Sequence, residues 1–240
     1  MSGLRTIALT LLAMLAFAAN SLLCRMALAH TAIDAASFTA IRLVSGAIVL
    51  WLLVVLRGAA QAEPGSWRSA FALFAYAAGF SFAYVSLTAA TGALLLFGAV
   101  QVTMIGHGLW RGERLRVVQV VGCVAAFAGL VGLLLPGLSA PPLGGALLML
   151  GAGFAWGVYS LRGRRAIDAV GVTAGNFMRA VAFAALLATA LWRDRSVDGA
   201  GIAYAVASGA MASGVGYVIW YAALPRLRPT SAAIVQLSVP

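Results

Sequence analysis

The sequence predicts an all-α integral membrane fold of ten helices in two inverted five-helix repeats, of which eight full helices and part of a ninth are present. Three observations carry this reading. Of the 240 residues, 63% are hydrophobic and only 9% charged, and the mean hydropathy is +1.00, whereas a soluble domain carries about 25% charged residues to face water. The apolar content comes in runs of about 20 residues, the length that crosses a bilayer as a helix. The sequence also matches itself at a fixed offset of 137 residues.

Cutting the chain at its charged or Pro/Gly-bearing breaks gives spans at 7–29, 35–56, 70–90, 92–110, 117–135, 143–161, 170–192 and 200–224. A ninth run begins near Thr230, after Pro225 and Pro229, and reaches Pro240 when about half a bilayer has been crossed. The first span carries a decoy: Arg5, an apolar run and the small residues Ala16, Ala18 and Ala19 resemble a secretory signal with a cleavage site. The run continues past Asn20 to Ala29, long enough to span, so an uncleaved first helix is expected.

The net charge of +10 would suggest nucleic acid in a soluble protein, but here the charges sit in short clusters between apolar runs. All sixteen basic residues are Arg. With the N-terminus inside, eleven of them (5, 57, 68, 111, 114, 116, 162, 164, 165, 226 and 228) fall in inside segments and three (25, 193 and 195) outside. Positive charge collects on the cytoplasmic side of membrane proteins, so the N-terminus is expected in the cytoplasm. Cys24 and Cys123 both lie inside apolar runs, so neither a disulfide framework nor a metal site is implied.

At the 137-residue offset Phe17 falls on Phe154, Arg25 on Arg162, Arg42 on Arg179, Gly79 on Gly216, Tyr84 on Tyr221 and Leu87 on Leu224. The hydropathy breaks repeat at the same spacing, which divides the chain at 1–136 and 137–240. Five spans is an odd number, so the second copy enters the membrane from the opposite side, as the arginine distribution also requires. Inverted repeats of this kind place a binding site near the midplane between the halves and serve alternating access. By the same offset, the counterpart of residues 104–135 is missing after Pro240, and a C-terminally incomplete chain is expected.

The stretch from Thr91 to Gly106, leading into Arg111-Gly112-Glu113-Arg114-Leu115, resembles the fourth helix and the Gly-Glu junction of the EamA-like branch of the drug/metabolite transporter superfamily. Val235-Gln236-Leu237-Ser238-Val239-Pro240 resembles the start of that family's ninth helix. The resemblance covers essentially the whole chain. It implies a ten-helix transporter fold and export or exchange of small metabolites such as amino acids, sugars or nucleosides, without specifying which.

Polar groups within hydrocarbon face a cavity or a partner. The candidates are Asn20, Gln101, Asn176 and Gln236, with His107 near a helix end; helix-to-helix hydrogen bonding is the alternative for each. Arg42 and Arg179 each sit seven to nine residues into a span, roughly 10–14 Å below the entry surface at about 1.5 Å per residue. One reading has them flank a central cavity from opposite ends, attracting a carboxylate or phosphate; the other has each snorkel to its nearer interface. Tyr84, Trp156, Tyr159, Tyr217, Trp220 and Tyr221 fall within spans and either line a cavity or pack toward lipid, whereas Trp67, Trp110 and Trp192 at span ends suit interface belts. Gly209 and Ser213, four apart, suit close helix packing.

All six acids, Asp34, Glu63, Glu113, Asp168, Asp194 and Asp198, lie in loops or at span ends. A membrane-embedded carboxylate for proton or sodium coupling is therefore not expected, which favours facilitated transport or exchange. There is no HExxH, no GxSxG and only two histidines, so enzyme chemistry, a catalytic residue, a metal and a cofactor are not expected. The expected partners are a small-molecule metabolite and the lipid bilayer, with no nucleic acid; a homodimer stays open. The expected location is a bacterial inner membrane. The alternative on the same fold is a non-transporting or lipid-handling membrane protein.

Overall fold

A computed structural model describes residues 3–58, 64–114, 141–164 and 166–239, together with positions 117, 120–122, 124, 125 and 128. Long helices dominate: α1 (Gly3–His30), α2 (Ala35–Leu56), α3 (Trp67–Ser86), α4 (Ala89–Trp110), α5 (Leu143–Gly163) and α6 (Ala169–Ala190). Next come α7 (Gly199–Ala207), a π-helical stretch (Ser208–Val215) and α8 (Gly216–Ala223), followed by the short α9 (Pro229–Val235). Among the described residues, seven helices are long and apolar enough to cross a membrane, the seventh running over Gly199–Arg226. The expected fifth span, 117–135, lies largely outside the described residues; the positions that are described there are helical.

The helices begin where side-chain oxygens can satisfy their first free N–H groups. Asp34 accepts from the Ala36 and Ser37 amides, both at 2.9 Å. Ser66 accepts from Ser69 at 3.2 Å, Thr88 from Thr91 at 3.2 Å and Asp168 from Val170 at 3.1 Å. Thr88 starts α4 three residues earlier than the hydropathy break suggests, because a capping hydroxyl outweighs a polar first turn. α4 ends on Gly112, whose φ of +83° suits a residue without Cβ; the Glu113 amide then returns to the Gly108 carbonyl at 2.9 Å.

The most extensive helix contacts join α3 to α5, α2 to α6, α4 to α5 and α2 to the π-helical stretch. Each joins the part of the chain before residue 137 to the part after it, so the core is the seam between them. Small residues make the approach close: a Cβ on Gly209 would overlap the Arg42 carbonyl oxygen and the Ser45 hydroxyl. Large aliphatic side chains such as Leu15, Leu22, Ile48, Leu56, Leu147 and Leu186 point outward, as a lipid-facing surface requires. Trp67, Trp110 and Trp192 are exposed at helix ends, the expected belt positions.

One element departs from the sequence expectation. The eighth span is not a uniform α-helix; its middle, Ser208 to Val215, is π-helical. In the π pattern hydrogen bonds run between residues five apart, which brings Ser208 and Ser213 onto one face. In an α-helix of 3.6 residues per turn the same two residues would lie about 140° apart.

Candidate functional site

At the seam, Arg42 of α2 is only 1% exposed, so its side chain does not snorkel to an interface. Its Nε donates to Ser213 Oγ at 3.1 Å. Nη2 donates to the hydroxyls of Tyr76 and Tyr217, each at 3.2 Å. The guanidinium carbon lies 5.2 Å from the ring centroids of both Tyr76 and Phe80, a cation–π arrangement. The remaining nitrogen, Nη1, is buried with no hydrogen-bond partner among the described residues. Among the described residues, the hydrogen-bond partners of Arg42 are all neutral hydroxyls and none is a carboxylate.

Helices α1, α2, α3, α4, α5 and α8 and the π stretch assemble this environment. Asn20 of α1 donates through Nδ2 to the Tyr76 hydroxyl at 3.2 Å and accepts at Oδ1 from Ser208 Oγ at 2.6 Å. The two serines that the π geometry aligns therefore hold Asn20 and Arg42 respectively. Trp156 packs against Tyr76 at 5.0 Å, Tyr217 at 4.7 Å and Phe17 at 5.2 Å between centroids, and its Nε1 donates to Gln236 Oε1 at 2.8 Å. Gln236 in turn donates to the Ala232 carbonyl at 3.0 Å. Gln101 of α4 donates to the Ala233 carbonyl while its own Oε1 is buried and unpartnered. Tyr159, Trp220 and Tyr221 complete the buried aromatic group; among the described residues Trp220 Nε1 has no hydrogen-bond partner. These aromatic residues face the interior, not lipid.

Asn20, Arg42, Gln101, Trp156, Tyr159, Tyr217, Trp220 and Gln236 thus converge around one polar and aromatic interior. Of the other sequence candidates, Tyr221 packs on Tyr159 in the same group and Asn176 lies beside the Tyr159 hydroxyl, whereas Tyr84 and Arg179 do not join it. Tyr84 packs edge-on against Phe80 at 4.7 Å, and its backbone carbonyl accepts from Arg25 Nη1 at 2.7 Å. Asn176 accepts from the Ser66 amide at 2.8 Å, tying α6 to the start of α3. Arg179 is half-buried, donating to the Gly175 carbonyl at 2.9 Å and lying 5.8 Å from the Trp67 ring centroid. The structure therefore separates the two arginines that the 137-residue offset pairs: Arg42 is central, and Arg179 turns back toward its own helix start. Tyr76, Ser208 and the ligating role of Ser213 were not singled out by sequence. Tyr76 and Ser69 lie seven apart on α3 and both are buried, a periodic polar face that offered the available signal.

The two ends of the bundle differ. At the arginine-rich end, where α3 and α6 begin and α4 and α5 finish, a cavity of ≈ 590 Å³ opens, lined by residues that include Ser66, Ser69, His107, Arg111 and Arg162. At the opposite end Asp34 ties the α1–α2 turn to the segment before α7. Its amide donates to the Ser196 carbonyl at 2.9 Å, and its carboxylate accepts from the Ser196 amide at 3.0 Å. Partial burial alone would raise the Asp34 pKa, but hydrogen bonds from Ser37, Ser196 and Ala36 outweigh it and hold the carboxyl below the usual carboxylate range. Among the described residues, no cluster of three or more His, Cys, Asp or Glu could hold a metal ion.

Compared with known proteins, residues 4–135 and 143–240 match the EamA-like transporter family. The chain is 62% identical over 237 residues to the Pseudomonas aeruginosa protein PA1977, itself described as uncharacterized, covering 98% of this chain and 83% of that one. A solved crystal structure superimposes with a TM-score of 0.77 at 22% identity, covering 100% of this chain and 85% of the other. That likeness establishes the fold.

Proposed function

The chain belongs to the EamA-like transporter family, and from that premise we propose that it exports or exchanges small metabolites bearing a carboxylate, such as amino acids, across a bacterial inner membrane. The observation that carries the reading is the Arg42 guanidinium, buried with only neutral hydrogen-bond partners and with Nη1 unsatisfied among the described residues. A buried cation is retained only where something compensates it, because its desolvation costs several kcal/mol. Two tyrosine hydroxyls and a serine supply part of that compensation, and a substrate oxyanion on Nη1 supplies the rest through a short charge-assisted hydrogen bond. The surrounding rings of Trp156, Tyr217 and Phe17 accept the apolar part of the same molecule. Small cations are disfavoured by the same fixed charge.

In this reading residues 1–136 and 137–240 are inverted repeats that rock about the seam holding Arg42. The arginine-rich end is cytoplasmic, with the N-terminus inside. The cavity there and the Asp34–Ser196 tie at the other end support an inward-facing arrangement in which Arg42 is closed off from the mouth. No acid lies within a span, which supports facilitated exchange over coupling through a buried carboxylate. The test is counterflow of a radiolabelled amino-acid panel in proteoliposomes. Saturable exchange by the parent that is lost in Arg42→Gln supports the proposal. Full exchange by a folded Arg42→Gln protein would sink it, and an inert parent would favour a non-transporting role for the fold.

A further inference from the structure

We propose a second, separate oxyanion station at the arginine-rich mouth, centred on Arg162, where the carboxylate of a solute docks before it reaches Arg42. The inference rests on the transport reading above. The ≈ 590 Å³ cavity is shared by both parts of the chain: Ser66 and Ser69 come from α3, His107 and Arg111 from the end of α4, and Arg162 from α5. Arg42 is not among its lining residues. Arg162 is held in a fixed orientation, its Nε donating to Ser69 Oγ at 2.8 Å and Nη2 to Ser66 Oγ at 3.3 Å. Ser66 caps α3 and Ser69 lies in its first turn, and the start of the helix is also fastened to α6 through the Ser66 amide and Asn176. Among the described residues the hydrogen-bond partners of Arg162 are these neutral hydroxyls, and an anion arriving at it meets Arg111 and His107 across the same space. Neutral serine partners are weaker acceptors than a carboxylate, so an incoming oxyanion displaces them readily.

Ser69 lies one face-repeat from Tyr76 on α3, and Tyr76 holds Arg42. The same helix face thus leads from the mouth to the interior.

The experiment is saturation-transfer NMR on the 240-residue chain in phosphatidylcholine nanodiscs, with benzoate as probe and inorganic phosphate as competitor. Measurements run in the parent and in an Arg42→Gln background, which leaves the mouth as the remaining station. Saturable benzoate transfer that persists in Arg42→Gln, is displaced by phosphate, and weakens about tenfold when Arg162→Gln is added is the expected result, the size of one lost charge-assisted contact. Arg162→Lys, which keeps the charge but loses the fork to the two serines, is expected to weaken binding by a smaller factor, and it stands in if the Gln variant does not fold. Loss of all saturable transfer in Arg42→Gln alone would overturn the second station while leaving the Arg42 reading intact. Unchanged affinity in both Arg162 variants would overturn it as well. Benzoate transfer abolished by adding phosphatidylglycerol to the nanodiscs would assign the mouth to a lipid headgroup and overturn the solute station.

Discussion

Replacing Ser213 with Ala removes the acceptor for Arg42 Nε, a contact of 3.1 Å inside the core, and touches little else, because Ser213 is fully buried and the change deletes one oxygen. The magnitude follows from what is stranded. Arg42 has three hydrogen bonds to side-chain hydroxyls and one bare nitrogen, so the Ser213→Ala protein buries a cation with two of its nitrogens unpaired. A hydrogen bond to a charged group is worth about 1.5–3 kcal/mol, and a stranded buried donor forfeits that range. For a chain of this size each kcal/mol moves the melting midpoint by roughly 2–4 °C, which places the expected drop at about 3–12 °C. The assay is thermal unfolding of the purified protein in detergent, with Ser238→Ala as the comparison, since Ser238 is exposed and its hydroxyl donates locally to the Val235 carbonyl. Ser238→Ala is expected to melt within a degree of the parent. If Ser213→Ala does the same, Arg42 does not depend on the π-helical stretch for its position, and the description of the seam is wrong.

Other consequences follow from the same geometry. Gly209→Ala places a methyl against the Arg42 carbonyl and Ser45 hydroxyl; overpacking of this kind costs about 1–3 kcal/mol, and the melt should fall while Gly144→Ala, in open space, changes little. The Asp34 carboxyl titrates below its usual range in the folded protein. Its contribution is therefore complete at neutral pH and is lost as the pH falls through the unfolded value of 3.8 and then the lower folded one. Hydrogen exchange at the Ser196 amide should accelerate over that acid window in the parent and show no such step in Asp34→Asn. Trp156→Phe removes the donor to Gln236 Oε1 and is expected to cost about 1–3 kcal/mol through the stranded acceptor, read as a lowered melting midpoint.

The span boundaries were largely legible in the sequence because hydropathy, capping residues and the Pro/Gly breaks act locally. Asp34, Ser66 and Asp168 stand where helices start, and each is a side chain that pairs with its own first turn. The interior cluster was legible in part: a polar residue in an apolar run must face something, which singled out Asn20, Arg42, Gln101 and Gln236 without saying that they meet. Arg179 shows the limit. It repeats Arg42 at the 137-residue offset, yet Gly175 and Trp67 give it partners close to its helix start, whereas Arg42 finds Tyr76, Tyr217 and Ser213 deep in the seam. Which of two equivalent charges is central depends on contacts distant in the chain. The π-helical stretch was hidden for a related reason. Ser208-Gly209-Ala210-Met211-Ala212-Ser213 reads as a small-residue packing face, and only its contact with α2 and Asn20 reveals the altered register.

The most direct test of the central claim, that Arg42 receives the oxyanion of a transported metabolite, is a charge-selectivity ratio in proteoliposomes. Counterflow of one amino acid is compared with that of its methyl ester, in the parent and in Arg42→Gln. The parent is expected to favour the acid by about tenfold or more, the discrimination that one charge-assisted hydrogen bond supplies, and the Arg42→Gln protein to lose that preference. A parent that moves acid and ester equally well, or an Arg42→Gln protein that keeps the full ratio, would contradict the account.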